Sequence, residues 1–549
     1  MEARKELAGK GNGRGKRERM ERGSVIEGLT LEEMLYSGFF ILLSVAKGFG
    51  FYEGQKAFVL LLLPAFALAF LKILLSSYTR RQWVMQILLF LLTMIVYDRS
   101  REIGIFFIMF MIMGMKNISI KKVFRLGLWV WSVCSIVLCL ASFTRLEHTI
   151  YRVHQKLGLG HIFRWSLGFT HPNILHITYL LLCVFIVYEL AERYSFKHFL
   201  LLMVGNVLVF IYSVSFTGFG IVVILLFGAL YVQIRPRFCF VEKLAVNLVL
   251  PACMIFSFVL PSIIFESKYA YWIQKLNFLL NTRIWLARQF LEPECMSLFG
   301  LRMSELEQGS LAIDNSYIWG FVNYGIVPFA LCMFAYLLLI VDYSRKQKTR
   351  ELVLIVCFLA AGFTEQLLFN TSFKNITFLF LGEFMFRQKE GAEEYALFPE
   401  WKQKLEGCCQ KLCAKVAAQP CMQKALYSTL WQARKRYRKQ VAIGTLAGIA
   451  AGICLCAVLY TEPKGYVVQR FYTDGLFDTS VYLESAEDED YEGYRVMNYV
   501  DADTPMQIID GNAVTLETVR YYLGGMAIGA LAGYLISAGT MLSIDKERL

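Results

Sequence analysis

Apolar residues run through this chain in long blocks, without the polar stripe of a soluble amphipathic helix. Fourteen blocks stand out, near 34–52, 56–76, 82–97, 103–116, 123–143, 171–191, 198–213, 217–234, 244–264, 316–341, 351–370, 373–387, 441–460 and 519–541. A helix needs about 20 apolar residues to cross a bilayer core of ~30 Å at ~1.5 Å per residue. Most of the blocks approach that length, 103–116 least. The pattern predicts an all-α polytopic membrane protein. It has a tail at 1–30, a body of about twelve helices at 31–387, a linker at 388–440 and a two-helix hairpin at 441–549 that displays a small domain, 461–518.

Composition agrees. Of 549 residues, 56% are hydrophobic and 18% charged, and mean hydropathy is +0.48. A soluble chain carries nearer a quarter charged residues, and 15% aromatics exclude a disordered chain. Charge placement adds an orientation. With the tail inside, the inward connections are SYTRR (77–81), KNISIKK (116–122), ERYSFKH (192–198), RPRF (235–238) and DYSRKQKTRE (342–351). All are basic, as the positive-inside bias requires; DRSR (98–101) is the exception. An even helix count puts both termini in the cytosol. Met1 to Arg22 is long, charged and glycine-containing, and no cleavable signal peptide is expected there.

The net charge of +12 is a sum of opposites. The outward segment 461–518 has thirteen Asp/Glu against three Lys/Arg, a net of −10, so the rest carries +22. The linker has eleven Lys/Arg against five Asp/Glu. Its WKQKLEGCCQKLCAKVAAQ and ALYSTLWQARKRYRKQ stretches read as interfacial helices on anionic lipid, and nothing points to nucleic acid. Gly444, Gly448 and Gly452 recur every four residues, as do Gly525, Gly529 and Gly533, which predicts close pairing of the two hairpin helices. Cys408, Cys409, Cys413 and Cys421 lack the CxxC spacing of a metal site and read as apolar-face residues; no metal or cofactor is expected.

Ionisable residues at bilayer depth are scarce, which argues against ion-coupled transport. Lys72 and Arg125 are placed to snorkel to the cytosolic edge, and Glu365 lies near the outer end of its span. Polar chemistry gathers outside instead. Five of six histidines, His148, His154, His161, His171 and His176, fall within 148–176. In RWSLGFTHPNILH (164–176), Pro172 suits a first helical turn, with Thr170 able to cap. His171 would stand at the helix N-terminus as a neutral imidazole, a candidate general base. Interfacial histidines without catalytic duty explain the same residues. A five-residue spacing to His176 does not suit a metal pair. The outward segment 265–313 interleaves Tyr269, Tyr271, Trp272, Phe278 and Trp285 with Lys275, Arg283 and Arg288. The two arginines are on different helical faces, so one can meet a phosphate while the other is solvated; an aromatic belt is the competing reading. Asp314, in DNSY (314–317), is placed as an N-cap.

Taken in order, SLGFTHPN, YSVSFTG, LNTRIWLA, SLFG, LAIDNSYIWGFVNYGI and AGFTEQLLFN resemble bacterial lipid-linked polysaccharide polymerases. These are the O-antigen and capsule repeat-unit polymerases, relatives of O-antigen ligases, and the resemblance covers roughly residues 30–387. It implies metal-free glycosyl transfer at the outer face of the bacterial cytoplasmic membrane. Glycan on undecaprenyl pyrophosphate would move to a sugar hydroxyl of a fresh lipid-linked repeat. The resemblance assigns Arg283 to the pyrophosphate, with Arg164 as a second candidate, and His171 or Glu365 to the base. Asn173, His176, Ser215, Thr217, Arg288, Asp314, Asn315 and Ser316 would bind substrate. The family often reads Ser-Arg-Thr where this chain reads Ser215-Phe216-Thr217, so a second phosphate arginine is missing unless Arg164 or Arg288 replaces it. The terminal hairpin faintly resembles the chain-length regulators that partner these polymerases, although its outer segment is much shorter. Expected partners are undecaprenyl-pyrophosphate-linked glycans, membrane lipids, and a flippase and chain-length regulator of the same pathway. A ligase with another acceptor and a lipid-linked sugar transporter remain as alternatives.

Overall fold

Ten helices of the described residues are long and apolar enough to cross a membrane. The computed structural model describes residues 30–143, 151–155, 161–263, 270–280, 282–311, 313–387, 391–417, 437–460, 466–470, 495–499, 507–509 and 512–547. The chain is an all-α polytopic membrane protein, with short strands added. The tail before residue 30, most of the second linker helix and most of the acidic segment lie outside the described residues, as do His148 and Cys421. Contacts divide the chain into two compact units. One comprises Leu35–Arg152 and Arg164–Leu397; the other comprises Met1–Met34, Val153–Phe163 and Phe398–Leu549.

In the first unit, α1 (Leu31–Gly48, whose first turn belongs to the other unit), α2 (Lys56–Leu75), α3 (Arg80–Ser100), α4 (Gly104–Met113) and α5 (Ile120–Phe143) come first. Next are α6 (Pro172–Leu190), α7 (Phe196–Ser213), α8 (Phe216–Ile234) and α9 (Phe240–Ile263). The shorter α10 (Ala270–Leu279), α11 (Arg283–Gln289) and α12 (Ser316–Tyr324) follow, then α13 (Ile326–Arg345), α14 (Thr349–Thr364) and α15 (Phe378–Met385). Thr79 and Gln82 close a capping box at the start of α3. At its other end, the DRSR exception forms the last turn and a left-handed cap at Arg101, bonded to Asp98 at 3.0 Å.

Two expected spans are half-length. α4 and α15 have 10 and 8 residues, about half of what a crossing requires. They pack on each other, with Gly382 against the Ile112 carbonyl and Met115. α4 is apolar all round, which suits burial in the protein interior, and α15 is apolar but for Glu383, which accepts from Tyr343 and pairs with Lys348. Phe39, Phe40, Phe107 and Phe110 form an aromatic cluster there with Phe373, from the turn before α15.

The 316–341 block is also not one helix. It breaks at Gly325, φ 86° and ψ 168°, a conformation that glycine alone adopts readily. The SLFG turn docks onto the break. Leu301 N–H donates to the Val322 carbonyl (3.2 Å), while Ile326 and Val327 N–H donate to Ser297 and Leu298 carbonyls (2.9 and 3.1 Å). A Cβ at Gly300 or Gly325 would collide with the opposing backbone. The orphan groups of two helix ends are thereby satisfied inside the bundle.

Lys72 does not snorkel. It is fully buried and donates to the Lys116 carbonyl at 2.7 Å. Arg125 pairs with Glu189.

In the second unit, α16 (Pro399–Ala417) is the first predicted linker helix. Lys402 pairs with Glu32 at 2.8 Å; Cys409 is buried against Met34, as an apolar-face cysteine should be, but its neighbour Cys408 is exposed, contrary to that expectation. The hairpin is α17 (Arg438–Leu459) and α18 (Asn512–Glu547). Its glycines meet as the spacing predicts. Gly448 lies against the Gly529 carbonyl, Gly452 against that of Gly525 and Gly444 against Ser537. In chain order β1 (Tyr151–Gln155), β2 (His161–Trp165), β3 (Tyr466–Arg470), β4 (Arg495–Tyr499) and β5 (Gln507–Ile509) are short strands. β3 pairs with β4 in parallel and with β5 antiparallel.

Candidate functional site

Glu365 is where the candidate residues converge. It follows the last turn of α14 in an extended conformation, φ −141° and ψ 143°, so its side chain leaves the helix axis. Its Oε1 accepts three hydrogen bonds: from Thr217 Oγ1 at 2.8 Å, Arg283 Nη2 at 3.2 Å and Asn173 Nδ2 at 3.3 Å. Its backbone carbonyl accepts from Ser316 Oγ, which also accepts from Leu368 N–H at 3.1 Å. Three separated segments therefore hold one carboxylate, and a fourth holds its backbone. Burial pushes Glu365 above the usual carboxyl range, with Asp314 adding to the shift and Arg283 and Thr217 opposing it.

Arg283 opens α11. The helix start is set by Asn277, whose Oδ1 accepts from Ile284 and Trp285 N–H, both at 3.0 Å. Thr282, at φ 61°, turns the chain into it. The Arg283 side chain is 11% exposed and bridges two carboxylates, with Nε 3.2 Å from Asp314 and Nη2 3.2 Å from Glu365. It borders a narrow groove lined by Phe256, Ser257, Leu280 and Asn315. Arg164 is buried behind Asn173: its Nε donates to the Ser213 carbonyl at 2.8 Å and its Nη2 to Asn173 Oδ1. It orients the amide that holds Glu365.

Several expectations need correction. His171, rather than Thr170, caps α6, its Nδ1 accepting from Asn173 N–H at 3.0 Å. That bond places the ring proton of neutral His171 on Nε2 and occupies the Nδ1 lone pair that a base would need. Asn315, rather than Asp314, caps α12, its Oδ1 accepting from Tyr317 and Ile318 N–H and its Nδ2 donating to Ser257. His176 is fully buried, its ring within 3.0 Å of Ser213 Oγ and 2.8 Å of Asn206 Oδ1, and ties α6 to α7. Ser215 caps α8 through Gly218 N–H. Ser316 and Asn315 are buried. These four act on the position of other groups and have no surface for a sugar. Arg288 stands in the last turn of α11 and is not among the cavity's lining residues.

Beside Glu365 lies a cavity of about 390 Å³, lined by His171, Asn173, Asp314, Glu365, Asn370 and Lys374 among others. Lys374 had no signal in the sequence beyond being polar in an apolar block, and the turn that presents it depends on Phe373 at φ 57°. The arrangement joins a carboxyl of raised proton affinity to a guanidinium and to sugar-sized polar space. That suits proton transfer coupled to stabilisation of a developing negative charge. Comparison with protein-family models, with curated proteins and with solved structures gives no match for this chain.

Proposed function

We propose that this protein is a membrane glycosyltransferase that polymerises undecaprenyl-pyrophosphate-linked oligosaccharide repeats into a surface polysaccharide. The reaction would take place at the outer face of the bacterial cytoplasmic membrane. One observation carries the reading: Glu365, Arg283, Thr217, Asn173 and Ser316 come from five different resembling motifs and meet at one residue, three of them on the Glu365 carboxylate and Ser316 on its backbone carbonyl. Residues scattered over almost 200 positions have no packing reason to converge on a buried acid.

In this reading Glu365 is the base. The acceptor hydroxyl oxygen attacks the anomeric carbon of the donor, its proton passes to Glu365, and the anomeric C–O bond breaks with its electron pair leaving on the pyrophosphate. Arg283 exchanges a carboxylate for a phosphate oxygen as that charge develops, a task suited to a guanidinium fork. Asp314 holds Arg283 until then. His171 donates Nε2–H to a sugar oxygen. Asn173, backed by Arg164, and Thr217 keep the carboxylate in place, and the phosphate arginine absent at Phe216 leaves Thr217 for that duty.

A glycan-length blot from a knockout complemented with Arg283→Ala tests the proposal. The expected result is loss of long glycan with accumulation of lipid-linked single repeats, and normal polymer removes Arg283 from the mechanism. An O-antigen-type ligase shares the donor chemistry. It would instead leave long lipid-linked glycan that fails to reach another acceptor.

A further inference from the structure

The cavity beside Glu365 has a cationic wall that the chemistry above does not use. Lys374 is the one Lys or Arg among its lining residues, and it is only 4% exposed. Among the described residues its ammonium has no hydrogen-bond acceptor and no carboxylate within ion-pair distance. Its neighbour is the Trp131 ring, 5.4 Å away at the centroid. Trp131 is buried as well, and its Nε1 has no partner. A second buried lysine, Lys47, adds repulsion; its own Nζ is occupied by the Phe51 carbonyl at 3.2 Å and lies 4.2 Å over Phe58. Burial of an ammonium is costly unless an anion or several acceptors compensate. Among the described residues only the face of the Trp131 ring meets it.

We propose that Lys374 is a second anion-binding group of the cavity, taking a phosphate or carboxylate oxygen of the substrate, apart from the Arg283–Glu365 cluster. The supporting geometry is a lysine only 4% exposed, with no hydrogen-bond acceptor among the described residues, at the wall of a sugar-sized cavity and on the same loop as Glu365. Asn370 and Ser372 line the same wall and would complete the oxyanion's hydrogen bonds. Burial first, and Lys47 second, lower Lys374 to about 7, so an arriving anion would also hold its proton in place. Two substrate groups have this chemistry: the lipid-linked pyrophosphate and the carboxylate of an acidic sugar. The inference rests on the glycosyl-transfer reading only for that choice of ligands.

The test uses the full-length protein in detergent. Thermal unfolding is followed while inorganic pyrophosphate or glucuronate is titrated in, for wild type, K374M, K374Q and K374R. Wild type should gain stability with at least one anion. K374M and K374Q should unfold at the same temperature as wild type or higher without anion, because a buried charge has been removed, yet need at least tenfold more anion for the same gain. K374R should keep the response. A response to pyrophosphate alone assigns the lipid-linked phosphate, and a response to glucuronate assigns an acidic sugar. The proposal is overturned if wild type responds to neither anion, or if whichever neutral variant folds titrates like wild type. Turnover is not needed, so a lysine-dependent response stands even if Arg283→Ala leaves polymer unchanged and the polymerase reading falls.

Discussion

The membrane body and the terminal hairpin join helices by opposite means. In the body, side chains fill the space between helices, large aromatic rings such as Trp131, Tyr36, Tyr317, Tyr336, Phe39 and Phe40 among them. Between its helices the body holds turns, half-length helices and a cavity. In the hairpin, α17 and α18 touch backbone to backbone at glycine, and few apolar side chains are buried. Close glycine packing leaves no room for a site. Side-chain packing around a cavity leaves space but requires every polar group within it to find a partner. The body meets that demand at Glu365 through four side chains and at Gly325 through a docked turn. At Lys374 it does not.

The sharpest way to break the comparison is at the body's polar cluster. Arg283→Ala removes the bridge between Asp314 and Glu365 and should lower polymer formation by on the order of 10²-fold or more, as loss of a charge-stabilising donor does. Single-turnover transfer from a lipid-linked repeat checks it. Gly325→Ala comes next. At φ 86° and with Phe299 and Gly300 nitrogens against the new methyl, it should cost on the order of 3 kcal/mol. Thermal unfolding in detergent should show a large drop, with transfer reduced because α12 carries Asn315 and Ser316.

Gly448→Leu strikes the other region. Overpacking should cost about 1–3 kcal/mol and widen spin-label distances between α17 and α18, while transfer by the body persists. If this variant abolishes transfer as completely as Arg283→Ala, the two regions are not functionally separate. Thr217→Val is smaller, removing one bond to Glu365 worth about 1 kcal/mol, and should slow transfer roughly fivefold.

Glu365→Gln should abolish transfer but have a mild effect on stability, with a defined sign. The folded pKa of Glu365 lies above its ordinary 4.5. Its contribution to stability is therefore full below that value and is lost as pH rises through the folded pKa. Gln cannot ionise, so the variant's melting temperature should gain on wild type as pH increases, read from melts at several pH values.

The hairpin was almost wholly legible in advance. Its glycines recur at the helical period on two neighbouring segments, so the pairing face is written locally. The body's spans were legible as apolar length, and Arg283, Glu365 and Asp314 as polar residues beside apolar stretches, whereas Asn173 and Thr217 were marked only by the family resemblance. The caps were misassigned by one residue at Thr170/His171 and Asp314/Asn315, because neighbouring polar residues compete for the same orphan N–H groups and backbone geometry decides. The split at Gly325 was hidden because apolar residues flank it on both sides, whatever the chain does between them.

By itself, then, the sequence determined that this is a helical membrane protein, roughly where its helices run, and that its terminal pair packs through glycine. These follow from transfer of side chains into lipid and from periodicity, both local properties. The tertiary structure alone decided that Thr217, Arg283 and Asn173 share one carboxylate while Ser316 holds its backbone, that His176 is a buried tie, and that Lys374 faces the cavity. Each depends on segments far apart in the chain meeting at particular distances. No pattern along one helix encodes which partner a buried charge finds on another.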